Sequence, residues 1–307
     1  MKQDQQRAAA IDIGTNSVLL AIAERAENRL VPLLERATIT RLGQGVDKTR
    51  TLAPEAVERN LACLADYADL LRDFGSPRLR VVGTSAMRDA AGGEDFRERA
   101  AQLLGVTPEV ISGDEEAQLT YRGALSGLPV NEEPVVVFDI GGGSTEIIQA
   151  TAGKMHAAVS LNIGSVRLTE RHLPTDPPTQ EELASLQADI ASELAKVPPP
   201  IPQAHLIGVA GTLTTLCAVH QRLTSYDSTR VHGAELSLEQ VQELCSSLAA
   251  LPVAARRELP GLEPKRADVI AAGAQIALGV LTWAGAQHLT VSDRGVRWGI
   301  LEQLLGS

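Results

Sequence analysis

Apolar positions along the chain change their period repeatedly, and each change marks an element. Residues 8–24 read as a strand (AAAID), a tight polar turn at Gly14–Ser17, and a second strand (VLLAIAE). Asn28 marks another turn, and LVPLLERATITRL continues as extended chain. From Thr51 to Phe74 the spacing lengthens: Val57, Leu61, Leu64, Ala68 and Leu71 recur at helical intervals, with Pro54 near the first turn and Gly75 past the end. This predicts an amphipathic helix. A strand LRVVG (79–83), a helix Glu94–Leu104, a short strand PEVIS (108–112) and a helix from Asp114 to about Leu125 follow.

The polar, Pro/Gly-punctuated stretch GLPVNEEP (127–134) breaks this order, which places a domain boundary there. Two domains are expected, 1–128 and 129–307, the last helix being able to pack back on the first. Beyond the break the order restarts: strand VVVFDI (135–140), a turn at Gly141–Ser144, strand TEIIQA, a turn at Gly153-Lys154 and strand HAAVSL. A helix follows from about Thr179, where Thr179 and Glu182 have capping-box spacing, and KVPPPIPQ (196–203) stops it. Strand HLIGVA (205–210), helices Leu213–Leu223, Leu238–Leu251 and Lys265–Ala286, strand HLTVS (288–292) and a helix from about Val296 complete the chain. Alternating strands and helices make the fold class α/β.

Two turns share one string. Asp12-Ile13-Gly14-Thr15-Asn16-Ser17 and Asp139-Ile140-Gly141-Gly142-Gly143-Ser144 both read D-I-G-x-x-S, 127 residues apart, and each closes one strand and opens another. A domain-sized period predicts a duplicated fold, not a solenoid.

Charge and cysteine usage narrow the partners. The formal net charge of −10 argues against nonspecific binding to nucleic acid or to anionic membrane, which needs a broad basic surface. Aromatics make up 3%, too few to stack bases along a single strand. Three cysteines without C-x-x-C spacing encode neither a disulfide framework nor a structural zinc site and suit a reducing, cytoplasmic setting. The start, MKQDQQRAAAIDIG, lacks the apolar core of a signal peptide. Val269–Ala286 is long enough to span a bilayer but is mostly Ala and Gly, so a buried core helix is expected and no membrane partner.

Each D-I-G-x-x-S turn offers consecutive backbone N–H groups with small side chains, while the preceding Asp sits at a strand end facing the same space. Such a concavity suits phosphate oxygens and a divalent cation. Neither turn leads into a helix, which argues against a Rossmann pyrophosphate loop, and no G-x-x-x-x-G-K-[ST] string is present. Gly211-Thr212, between a strand and a helix, offers further backbone donors. The basic pairs Arg256-Arg257 and Lys265-Arg266 are either solvated faces or guides for a long polyanion.

Taken in order, AIDIGTNSVLLAIA, VVGTSAMRDA, ISGDEEAQLTYRGAL, VVVFDIGGGSTEII, SLNIGSVRLTE, GVAGTLTTLCAV and VSDRGVRWGIL resemble the exopolyphosphatase/guanosine pentaphosphate phosphatase family, from about residue 8 to 305. That family lies in the actin-like and sugar-kinase superfamily, so the resemblance implies two duplicated ribonuclease H-like (actin-like) domains flanking a cleft. It implies Glu116, the second Glu of ISGDEEA, as the base that activates water, with Arg88 of GTSAMRDA beside the phosphate chain. It makes Gly14, Thr15, Asn16, Ser17, Gly141, Gly142, Gly143, Ser144, Thr145, Gly211 and Thr212 the expected phosphate contacts, and Asp12, Asp139 and Glu146 the expected ligands of Mg²⁺ or Mn²⁺.

Gly295 and Arg297 match the family's final motif, whose usual small residue is replaced by Arg294, as a basic rim or a surface change. The implied activity is release of orthophosphate from the end of inorganic polyphosphate by a cytoplasmic homodimer. Because the chain ends just past the last motif, it resembles the short, two-domain members, and short polyphosphate chains are the expected substrates. Hydrolysis of guanosine pentaphosphate is the close alternative. An actin-type nucleotide switch is a different class, against which the ISGDEEA string stands.

Overall fold

The computed structural model describes residues 7–27, 29–130 and 133–306. The leading hexapeptide, the turn expected at Asn28 and residues 131–132 of the expected break lie outside them. The chain divides into two compact units, residues 1–123 with 296–307 and residues 124–295.

The first unit is built on β1 (Arg7–Ile13), β2 (Ser17–Ala26), β3 (Arg29–Ile39), α1 (Val46–Thr49), α2 (Pro54–Asp73), β4 (Arg78–Gly83), α3 (Ser85–Asp89), α4 (Gly93–Leu104), β5 (Glu109–Val110) and α5 (Gly113–Leu125), with the C-terminal helix Val296–Leu305. Its sheet runs β3-β2-β1-β4-β5. β1 is buried on both faces, which is why its sequence is continuously apolar. Ala9, Ile11 and Ile13 face a core with α2 and α4, whereas Ala8 and Ala10 face Leu119 of α5 and Trp298 of the C-terminal helix. The alternation of the strand puts Asp12 on this second, small-residue face. Helix α2 starts at Pro54, later than the expected Thr51, because Leu52 N–H donates to the Ala91 carbonyl in an extended bridge. The expected strand 108–112 pairs only through Glu109 and Val110.

The second unit contains β6 (Val135–Ile140), β7 (Thr145–Thr151), β8 (Lys154–Leu161), α6 (Ser165–His172), α7 (Gln180–Leu194), β9 (His205–Val209), α8 (Ala210–His220), α9 (Ser228–Val231), β10 (Glu235–Ser237), α10 (Leu238–Ala250), α11 (Val253–Arg256), α12 (Ile270–Ala284) and β11 (His288–Val291). The C-terminal helix Val296–Leu305 is α13. Strand order is β10-β11-β9-β6-β7-β8. Read as β8-β7-β6-β9-β11, this repeats β3-β2-β1-β4-β5 with the same pairing: the hairpin partners are antiparallel and the crossover partners parallel. The duplication read from the two D-I-G-x-x-S strings is therefore a duplication of topology, and β10 is an addition in the second copy.

Thr179 and Glu182 do form the capping box of α7. The expected helix Lys265–Ala286 is divided. A 3₁₀ turn spans Pro264–Arg266 and α12 begins at Ile270, because the Ala267 carbonyl accepts from the buried Arg256 side chain. Ten residues of α12 are buried, and among the described residues no helix is long and apolar enough to cross a membrane. Helix α6, at the SVRLTE motif, was not expected. Cys63, Cys217 and Cys245 are buried free thiols.

Candidate active site

In the first unit, β1 and β2 are joined by the turn Gly14–Ser17, closed by the Gly14 N–H donating to Ser17 O at 3.0 Å. A Cβ on Gly14 would lie 3.1 Å from Ser17 O, so the turn is tight enough to favour glycine. The loop after β3 reads the outer side of the turn: Gly43 N–H donates to Thr15 O (2.9 Å), and the Thr40 and Arg41 N–H groups donate to Asn16 O (3.1 and 3.0 Å). A peptide group points its N–H opposite its C=O. Anchoring these carbonyls therefore turns the Asn16 and Ser17 amides the other way, into an arrangement that suits anion oxygens. The Thr15 hydroxyl is held by Ser85 Oγ at 2.8 Å. Both side-chain atoms of buried Asn16 lack a hydrogen-bond partner, a costly state that a phosphate or hydrated cation would relieve.

The same unit brings together the two residues expected to act on water and phosphate. Short helix α3 presents Arg88, whose Nη1 donates to Glu116 Oε2 at 3.2 Å and to Ile111 O at 3.1 Å. Glu116, 7% exposed, lies in the first turn of α5, where its N–H donates to Ser112 O. Its neighbour Glu115 points to Arg80 instead.

In the second unit the turn between β6 and β7 repeats the geometry, with Gly141 N–H donating to Ser144 O at 3.0 Å and the same 3.1 Å Cβ limit at Gly141. Its carbonyls are read by the N-terminus of α6. Ser165 N–H donates to Gly141 O, Val166 and Arg167 N–H groups donate to Gly142 O, and Arg167 Nε donates to Gly143 O at 2.6 Å. The amides of Gly142, Gly143 and Ser144 are thereby turned to the opposite side as a second anion nest. Gly164 permits this contact, since a Cβ there would lie 2.4 Å from Gly142 O. Arg167 and α6 were thus missed as the support of this turn; the quoted motif SLNIGSVRLTE was their only signal.

Asp139 and Glu146 are direct cross-strand partners on β6 and β7. Glu146 is 2% exposed and its Oε1 accepts from Ser160 Oγ at 2.7 Å. A Cβ on Gly295 would lie 4.0 Å from Asp139 Oδ2, so the glycine of the last motif sits at this carboxylate. Among the described residues no three His, Cys, Asp or Glu side chains form a metal cage. Two facing carboxylates without a cage fit a hard divalent cation that takes its remaining oxygens from substrate and water.

The other expected contacts meet protein groups. Thr145 is fully buried and its hydroxyl donates to Ile163 O. Thr212 is buried with its hydroxyl 3.4 Å from Ile140 O, and a Cβ on Gly211 would overlap the Arg266 guanidinium, so Arg266 lies against the first turn of α8. Burial pushes the Arg266 pKa down.

Arg294 forms no basic rim: its Nη1 donates to Ser126 O and Oγ at 3.0 and 3.1 Å. Arg256 is neither a solvated residue nor a guide for polyanions. It is 2% exposed and donates to Leu248 O and Ala267 O. Arg297 of the last motif pairs with Glu35 at 2.8 Å, and Trp298 Nε1 donates to the same oxygen, holding α13 to β3.

The fold and these sites define an α/β phosphatase made of a duplicated unit, and the chain belongs to the Ppx/GppA phosphatase family, whose model matches residues 21–307. Exopolyphosphatase 2 of Mycobacterium tuberculosis is 39% identical over 316 residues, a match covering 98% of this chain and 99% of that protein. The Aquifex aeolicus Ppx/GppA family member superposes with a TM-score of 0.83 at 36% identity over 97% of both chains. An exopolyphosphatase from Cytophaga hutchinsonii superposes with a TM-score of 0.89 at 27% identity over 98% of both chains.

Proposed function

We propose that the protein is a Mg²⁺-dependent exopolyphosphatase, a cytoplasmic homodimer, that releases orthophosphate from the end of inorganic polyphosphate, with short chains preferred. The observation that carries the reading is the pairing of buried Glu116 with the more exposed Arg88, a carboxylate and a guanidinium 3.2 Å apart at the start of α5. In the reaction, a water oxygen bonds to the terminal phosphorus as the bridging P–O bond breaks. Glu116 orients that water and takes its proton, and Arg88 donates to a phosphate oxygen. The amides of each glycine turn suit phosphate oxygens. Asp139 and Glu146 of the second unit would hold the cation, which supplies neutralisation of the anhydride charge when bound. Mn²⁺ is the expected substitute ion. The family membership and the named activity of the mycobacterial relative support polyphosphate as the substrate class.

Phosphate release from polyphosphates of defined length, guanosine pentaphosphate and ATP, measured side by side, tests the reading. Turnover is expected to be fastest on short polyphosphate, and Glu116→Gln is expected to lower kcat on the order of 10²- to 10⁴-fold. Faster release from guanosine pentaphosphate would move the assignment to that substrate. A fully active Glu116→Gln would remove the base.

A further inference from the structure

A carboxylate that aligns water must be held to a fraction of an ångström, and a misplacement of about 1 Å costs on the order of 10²-fold in rate. The backbone cap on the first turn of α5 constrains Glu116 only in part. Glu115 N–H donates to Ser112 Oγ at 3.1 Å and Glu116 N–H to Ser112 O at 2.9 Å. These bonds fix the height of the turn and buried Ala117, Leu119 and Thr120 hold its inner face; its outer side is held by a lateral anchor.

Arg80 of β4 supplies one. Its Nη2 donates to Glu115 Oε1 at 2.6 Å and to Glu109 Oε2 at 2.8 Å, its Nε approaches both Glu109 oxygens at 3.4 and 3.3 Å, and its Nη1 donates to Gln303 Oε1 at 2.8 Å. All three nitrogens are engaged, on β5, α5 and α13, so the fork has one orientation. The Arg80 side chain is 18% exposed, while Glu109 and Glu115 are 54% and 40% exposed. Ion pairs this open to water contribute little to stability.

We propose that Arg80 and Glu115 are a positioning pair that sets the direction of the Glu116 carboxylate. This rests on Glu116 being the base. Neither residue touches substrate: Arg80 acts on Glu115, and Glu115 acts through the helix turn it shares with Glu116.

The test uses the full-length enzyme with Mg²⁺ and a polyphosphate of defined length. Arg80→Met and Glu115→Gln are each expected to lower kcat about ten-fold or more, with KM within about two-fold and melting temperature nearly unchanged. Arg80→Lys, which keeps the charge but not the fork, is expected to recover part of the loss. The double variant is expected to be no slower than the worse single, because the two residues act as one unit.

Wild-type kcat in both single variants would overturn the proposal. So would a loss that follows the folded fraction measured by circular dichroism. Glu115→Gln, an exposed change, keeps the test open if Arg80→Met folds poorly. Glu116→Gln run in parallel separates the two readings. If it is inactive while the Arg80 and Glu115 variants are fully active, only the positioning pair fails. If it is fully active, the base fails and the pair with it.

Discussion

Asp139 faces Glu146 directly across β6 and β7, whereas in the other copy of the hairpin Asp12 faces Leu19. The two copies keep the same turn geometry and the same leading aspartate, but only the second has a pair of opposed carboxylates. Mg²⁺ dependence is therefore expected to respond more to the second unit. Asp139→Asn and Glu146→Gln should each raise the Mg²⁺ concentration for half-maximal activity more than Asp12→Asn does. Ser160→Ala, which removes the donor orienting Glu146, should raise it roughly ten-fold. Metal titrations of activity check this order.

Arg88 is expected to act by charge-assisted hydrogen bonding. Losing one such bond costs about 1.5–3 kcal/mol, so Arg88→Met should lower kcat/KM on the order of ten- to a hundred-fold, and Arg88→Lys by less. Steady-state kinetics on one polyphosphate length reads both.

Gly164→Ala places a methyl group 2.4 Å from Gly142 O, where backbone meets backbone and must move. Destabilisation of about 1–3 kcal/mol is expected from overpacking, together with a loss of activity, because the displaced atoms belong to the glycine turn. Urea unfolding and turnover are to be measured on the same preparation; normal activity would show that α6 does not set the turn.

Arg256→Met leaves two buried carbonyls, Leu248 O and Ala267 O, without their donor. Each uncompensated acceptor costs about 1–3 kcal/mol, so stability in urea should fall by at least that of one acceptor. If Arg256 instead guided polyanions, the same variant would keep its stability and bind long polyphosphate less well.

The thiols are expected to be inert in the folded protein. Burial pushes Cys245 up to about 12 and raises Cys63 and Cys217, so at neutral pH all three stay protonated and non-nucleophilic. A thiol-disulfide reagent should label none of them until the protein is unfolded, and activity should not change on exposure to it.

Much of the fold was legible because its signals are local. The unbroken apolar runs of β1, β6 and β9 and the helical period of α2 and α10 are properties of neighbouring residues. Helix α6 was not: SVRLTERH is short and mostly polar, and what fixes it is the row of carbonyls at Gly141–Gly143 that its N-terminus meets. The early start of α8 was also hidden, since Ala210 turns from strand to helix with φ +69° and no intervening loop.

At the site, the turns and their aspartates could be read from the repeated string, and Glu116 and Arg88 from the motifs around them. The charged residues beyond these could not be sorted by sequence. Arg256, Arg294 and Arg297 all look like plausible anion ligands until their partners are known. Those partners are the Leu248 and Ala267 carbonyls, Ser126 and Glu35.

The chain alone determined the doubled α/β pattern and the two glycine turns, because strand alternation, helical period and tight-turn chemistry depend on residues a few positions apart. The tertiary structure decided which charges serve the frame. An arginine's role is set by the acceptor its guanidinium reaches, and for Arg297 that acceptor is 262 residues away in sequence.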